Sequence, residues 1–130
     1  MADTENDIRA MATRFFDAIE QGDVDTVAAT YAPGAKIWHN TDELENTREE
    51  NIEVLRNMVR RSKSRKYTER RLQVFSGGFV QQHVLKAERG DGFKLHLPAC
   101  IVCAVSNGQI TRLDEYFDSA VVSAWRAGYA

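Results

Sequence analysis

Glu115 stands in Ile110-Thr111-Arg112-Leu113-Asp114-Glu115-Tyr116-Phe117-Asp118, a strand-like stretch that follows the turn signal Asn107-Gly108. A strand sends alternate side chains to opposite faces, so Leu113, Glu115 and Phe117 share one side and Asp114 and Tyr116 the other. The first face is apolar with a single acid in it. Apolar surroundings favour the neutral form of a carboxyl group, which suits a residue that must both hold and release a proton. The same alternation groups Gln81, His83 and Leu85 on one face and Trp38 and Asn40 on another, leaving Ile37 and His39 pointing away. If those three faces line one cavity, Glu115, His83, Gln81 and Asn40 converge in an apolar cleft, the usual form of a small-molecule site. Glu115 and His83 are then expected as the catalytic acid-base pair, because a histidine beside a carboxylate shuttles protons near neutral pH. Asn40 and Gln81 would orient substrate or water, with Trp38, Tyr31 and Phe15 forming apolar walls. A purely structural reading stands beside this one: His83 as a core histidine bonded to Glu115 or Gln81, and Glu115 as a solvated rim carboxylate.

Other chemistry-bearing residues point elsewhere. Cys100 and Cys103 have C-x-x-C spacing inside the apolar run 99–105. Three residues apart on a strand means opposite faces and roughly 10 Å of separation, beyond disulfide reach of about 7 Å. They read as reduced thiols packed as small apolar groups. His96 alternates outward from Leu95 and Leu97, and the histidines are too scattered for a metal site, so neither metal nor cofactor is expected. The basic run Arg60-Arg61-Ser62-Lys63-Ser64-Arg65-Lys66 with Arg70-Arg71 has one interleaved aromatic, Tyr67, and no nucleic-acid motif around it, so a solvated helix end and edge strand are expected instead.

The elements that must position these residues follow in order. Thr4-Glu5-Asn6-Asp7 caps a helix over about 5–20, with Ile8, Met11, Ala12, Phe15 and Ile19 at helical spacing. Gln21-Gly22-Asp23 ends it, and a second short helix carries Val24, Val27, Ala28 and Tyr31 until Pro33-Gly34 closes it. Residues 35–40 read as a strand, and Thr47-Arg48-Glu49-Glu50 is a capping box for a third helix ending near 61–64. Strands follow at 67–75, 79–86, 93–105 and 109–118, joined by Gly-rich turns, with a bulge or bend at Pro98. Ser119 would cap a last helical turn through Val121, Val122 and Trp125. Helices first and then consecutive strands specify one α+β domain over 1–130: a strongly curved antiparallel sheet packed as a cone on three helices, its mouth holding a pocket.

The chain has 130 residues and a net charge of −2. It lacks an apolar run long enough to span a membrane, and its first residues are acidic where a secretory signal would be basic, so a soluble cytoplasmic protein is expected.

This order of elements resembles the nuclear transport factor two-like superfamily in its SnoaL-like branch, which includes polyketide cyclases, ketosteroid isomerases and limonene epoxide hydrolases. Tyr31-Ala32-Pro33, Trp38-His39-Asn40, Gly108-Gln109-Ile110-Thr111 and Glu115-Tyr116-Phe117-Asp118 carry the resemblance. The resemblance implies the cystatin-like cone and a homodimer formed through the sheet. It sets Glu115 where the epoxide hydrolases have their acid and Asn40 where they have a water-binding Asn. Trp38 replaces a Tyr of that family, and Gln81 and His83 stand where an Arg and a second Asp would complete a charged network. Isomerase, cyclase and hydrolase chemistry on a small apolar organic molecule all fit, with carbonyl-type proton transfer ranked above epoxide opening. The alternative is a non-catalytic ligand-binding or dimerisation module of the same fold.

Overall fold

The computed structural model describes residues 3–127 as four helices and a six-stranded sheet. Helix α1 (Glu5–Gln21) starts on a capping box in which Thr4 and Asp7 exchange side-chain and backbone hydrogen bonds of 3.1 Å. It ends on Gly22, whose φ of 74° is the left-handed conformation that a helix terminus of this kind needs. Helix α2 (Val24–Thr30) is capped by Asp23 and stops one residue earlier than its apolar spacing suggests. Tyr31 instead opens strand β1 (Tyr31–His39), which carries Pro33 and Gly34 within an irregular register rather than as a helix stop. A three-residue strand β2 (Glu45–Thr47) leads into α3 (Arg48–Arg61), whose Thr47–Glu50 capping box is as expected.

The remaining strands are β3 (Ser62–Phe75), β4 (Gly78–Arg89), β5 (Lys94–Ser106) and β6 (Gln109–Phe117). Their order across the sheet is β2-β1-β6-β5-β4-β3. All neighbours are antiparallel except β1 and β6, which run parallel. That parallel pair departs from the antiparallel sheet expected for the α+β cone, and it matters for the site. Pro98 causes no bulge: it pairs in continuous register with Val84. The β6 ladder reaches only to Ala99, so the missing N–H of Pro98 has a single ladder neighbour to disturb. The last element, α4 (Ser119–Arg126), is a full helix capped by Asp118 rather than Ser119.

The register shifts fall elsewhere and re-aim side chains. Between Thr68 and Arg71 on β3 the ladder skips, with Glu69 at φ 55°, so Tyr67 and Leu72 both turn inward although five residues apart. Thr111 is skipped on β6, which brings Ile110 and Leu113 to the same buried face. Helix α1 lies against β3 and β4, where Phe16 packs edge-on against Phe15, Tyr67, Phe79 and His83 at centroid distances of 5.1–6.2 Å.

The basic run fastens this packing. Arg65 Nε and Nη2 donate to the carbonyls of Ile19 and Glu20 at the end of α1, both at 3.2 Å. Arg70 pairs with Asp17 at 2.8 Å and Glu20 at 3.0 Å. No helix among the described residues is long and apolar enough to cross a membrane.

Candidate functional site

The parallel pairing of β1 with β6 sets Ile37 opposite Leu113 and His39 opposite Glu115. Ladder partners share a face of the sheet, so His39 points inward with Glu115. Nε2 of His39 lies 3.2 Å from Oε1 of Glu115, and the two side chains are 17% and 20% exposed. Both line a cavity of about 360 Å³ enclosed by the sheet, α1, α3 and α4. Its sheet side carries Leu85, Leu97, Ile101 and Leu113, and its helical side Phe15, Ile19, Leu55 and Met58. Val122 and Trp125 of α4 close over it. This surface is apolar and concave, with a small number of polar groups set into it, as ligand sites are.

The polar groups are Glu115, His39, Tyr31, Tyr67 and Asn51, with Asn57 and two arginines further along. Asn51 Nδ2 donates to Tyr31 Oη at 3.0 Å, which leaves the Tyr31 hydroxyl proton free to donate elsewhere. The Tyr67 hydroxyl makes no hydrogen bond within the described residues. Burial raises the pKa of both phenols, and the nearby Glu115 carboxylate raises it further, so both stay protonated donors at any physiological pH. Burial likewise pushes up the Cys103 thiol, with Glu115 and Asp114 adding to it, and Cys100 and Cys103 are both free. Cys103 packs as the small apolar residue that its place in a strand suggests, whereas Cys100 is only half-buried.

Of the residues expected to form the site, Glu115, Tyr31 and Phe15 line this cavity. Trp38 and Asn40 do not. Trp38 lies on the outer face, its ring 5.3 Å from that of Tyr116. Asn40 extends the ladder past the end of β1: its amide donates to the Phe117 carbonyl and accepts from the Phe117 N–H, each at 3.0 Å. Its own N–H donates to the Glu115 carbonyl at 3.0 Å. Asn40 thus holds the backbone that carries Glu115, and its amide is already engaged there. The face assignment reverses because Ala35 and Ile37, on the His39 side, are the apolar pair that β1 buries.

His83 and Gln81 do face inward, but they sit in the core beneath the cavity, 4% and 1% exposed. Gln81 Nε2 and His83 Nδ1 are 2.9 Å apart. His83 Nε2 has no partner among the described residues. Burial pushes the pKa of His83 down to about 4, although Glu115 opposes the shift. The imidazole is therefore neutral near neutral pH and bonded to Gln81 rather than to Glu115. His39 takes the place beside the acid that parity had assigned to His83, and Tyr67 and Asn51 add donors that the sequence did not single out.

The family profile described as a SnoaL-like domain matches residues 12–113. The curated proteins contain no sequence match to this chain. Among solved structures, a Shewanella putrefaciens CN-32 protein described as a SnoaL-like polyketide cyclase superposes with a TM-score of 0.79 at 14% identity, covering 94% of this chain and 96% of that one. A Mycobacterium tuberculosis epoxide hydrolase of the limonene type gives 0.73 at 22% identity, covering 88% and 84%. A Catenulispora acidiphila protein with a ketosteroid isomerase-like fold, solved with trimethylamine, gives 0.76 at 12% identity, covering 92% and 93%. Identities this low establish a shared fold and leave the chemistry to be argued from the site.

Proposed function

The chain belongs to the SnoaL-like family, and from that premise we propose that it is a small enzyme moving a proton on a largely apolar organic molecule held in the cavity. The observation that carries this reading is the 3.2 Å contact between His39 and Glu115 on the wall of an apolar cavity. Glu115 is the acid-base residue. As carboxylate it takes a proton from a carbon next to a carbonyl group, and as carboxylic acid, its proton open to exchange with solvent, it returns a proton to carbon at the same or a conjugated position. His39 holds the carboxylate through Nε2 and keeps it aimed at the cavity. Negative charge that develops on the substrate oxygen meets the neutral phenol of Tyr67 or Tyr31, a donor placed before the reaction begins. One proton leaves carbon and one is returned, to carbon in an isomerisation or to the new alkoxide oxygen when the carbanion attacks an internal carbonyl and closes a ring, so both reactions balance.

Epoxide opening ranks lower because Gln81 and His83 are bonded to each other in the core and leave Glu115 without a second carboxylate. The test begins with a thermal-shift screen of terpenoid, steroid and polyketide-like ketones, since a ligand of the native state raises apparent stability. Hits are then incubated in deuterated buffer, and carbon-bound deuterium is followed by NMR. Wild-type protein is expected to exchange the proton, and Glu115→Gln to bind the same compounds without exchanging it. Undiminished exchange by Glu115→Gln would sink the assignment. Binding without exchange by the wild type would favour a module that only holds its ligand.

A further inference from the structure

Two arginines line the same cavity as the acid. Arg61 comes from the last turn of α3 and Arg126 from the last turn of α4. Neither guanidinium has an ion-pair or hydrogen-bond partner among the described residues. One hairpin gathers both helix ends. Gly90 N–H donates to the Arg61 carbonyl at 2.9 Å, and Arg89 Nη1 donates to the carbonyls of Trp125 and Ala127 at 2.7 and 3.2 Å.

This hairpin marks the end of the cavity away from the acid. It enters β5 at Lys94, whereas Glu115 sits opposite Ile101 further along that strand. The six steps from Leu95 to Ile101 span roughly 20 Å of extended chain. Helix α4 gives a second measure, since it starts two residues after Phe117 and climbs about 10 Å before it reaches Arg126. Between the two poles the wall is apolar, with Leu85, Leu97, Met58 and Trp125.

The acids near that end are already engaged. Asp91 forms a two-point pair with Arg89, both contacts at 2.8 Å, and Glu88 lies 3.6 Å from Lys63. Two cations brought to one opening without a counter-ion repel each other, and an anion between them relieves that repulsion. Arginine's planar fork suits carboxylate and phosphate oxygens in particular.

Resting on the reading of the cavity as the ligand site, we propose that its ligand is an anionic amphiphile: an apolar body in the cavity, with an oxyanion head group held by Arg61 and Arg126 at the end away from Glu115. The acid then works on the apolar body at a distance from the charged head, and the head group fixes which carbon reaches it.

The test is calorimetric binding of four eight-carbon probes to the full chain: octanoate, octyl phosphate, 1-octanol and octyltrimethylammonium, each at low salt and at higher salt. Octanoate or octyl phosphate should bind about tenfold tighter than octanol, a factor that a pair of partly exposed charge-assisted contacts can supply. The relative affinity of the two anions separates a carboxylate ligand from a phosphorylated one. The advantage should shrink with added salt and vanish in the Arg61→Gln/Arg126→Gln variant, while octanol binding is retained. Equal affinity for octanoate and octanol, or an advantage that survives in the double variant, would overturn the inference. Neither readout involves turnover and both can be repeated in Glu115→Gln, so a failed charge preference leaves the catalytic reading standing. Absence of binding by all four probes would remove the cavity as a ligand site and both readings with it.

Discussion

His39 and Glu115 meet at 3.2 Å across the parallel β1–β6 ladder, and their carboxylate-imidazole contact stands on the wall of the apolar cavity. The two strands are far apart in sequence, so the contact exists only because β1 is inserted beside β6. It separates the two inward-facing histidines by role. The one beside the acid lines the cavity with a small part of its ring exposed, and the other is locked against Gln81 beneath it.

Replacement of the two histidines should therefore have opposite consequences. His39→Gln is expected to lower kcat by about 10²-fold, the scale of one positioned proton-transfer group, and to alter the pH profile of kcat/KM. His83→Gln should leave kcat within about threefold. Steady-state kinetics on any substrate found in the deuterium-exchange screen decides this, with far-UV circular dichroism to show that both variants fold. A larger loss for His83→Gln would return the acid-base role to the core pair.

Tyr67 offers a second separation of function from stability. Its hydroxyl makes no hydrogen bond within the described residues, so Tyr67→Phe removes nothing that holds the fold. The melting temperature should stay level or rise slightly. If the phenol meets developing charge on the substrate, kcat should fall by about 10²-fold. Unchanged kcat would leave Tyr31 as the donor and make Tyr67 part of the wall.

Asn40 acts on the backbone instead of on a ligand. Asn40→Ala removes two side-chain hydrogen bonds to Phe117, and the expected cost is about 2 kcal/mol, read as a lower urea midpoint at constant m-value. Affinity for the apolar probes should hold, because the side chain is outside the cavity lining. A variant with native stability and lost binding would restore Asn40 to the site.

The legible part of the molecule was whatever local pattern determines. Capping boxes at Thr4 and Thr47, helical spacing in α1, and the Gly-rich turns each act within a few residues, and the structure has them where the pattern puts them. Glu115 was legible too, because Leu113, Glu115 and Phe117 alternate regularly against β5. What failed depended on partners remote in sequence or on a skipped residue. The face of β1 is set by pairing with β6, and the apolar pair Ala35 and Ile37 was the available signal that His39, and not Trp38, turns inward. Tyr67, which lines the cavity, and Leu72, which packs against the core, share the inner face only because the ladder skips at Glu69, a residue whose identity does not announce a left-handed backbone. The basic run looked like solvated surface, yet Arg65 and Arg70 fasten α1 to the sheet, because their reach is set by where α1 ends.

His83 gives the last prediction, on stability against pH. Its pKa stands at about 4 in the folded protein against 6.5 for the free side chain, mainly through burial, with Arg70 lowering it further and Glu115 opposing. The unfolded chain binds the proton first as pH falls, so it gains protons that the folded state lacks between about 6.5 and 4, and stability must drop across that window. Above 6.5 the contribution is fully present, and below about 4 it is gone. A shift of this size corresponds to about 3 kcal/mol. Other carboxylates also titrate at the acid end, so the informative quantity is the difference between wild type and His83→Gln. Urea unfolding at pH 7.5, 6, 5 and 4.5 should show wild-type stability falling more steeply than that of the variant. Parallel curves would mean that the imidazole takes up its proton in place, and that the core beneath the cavity admits charge.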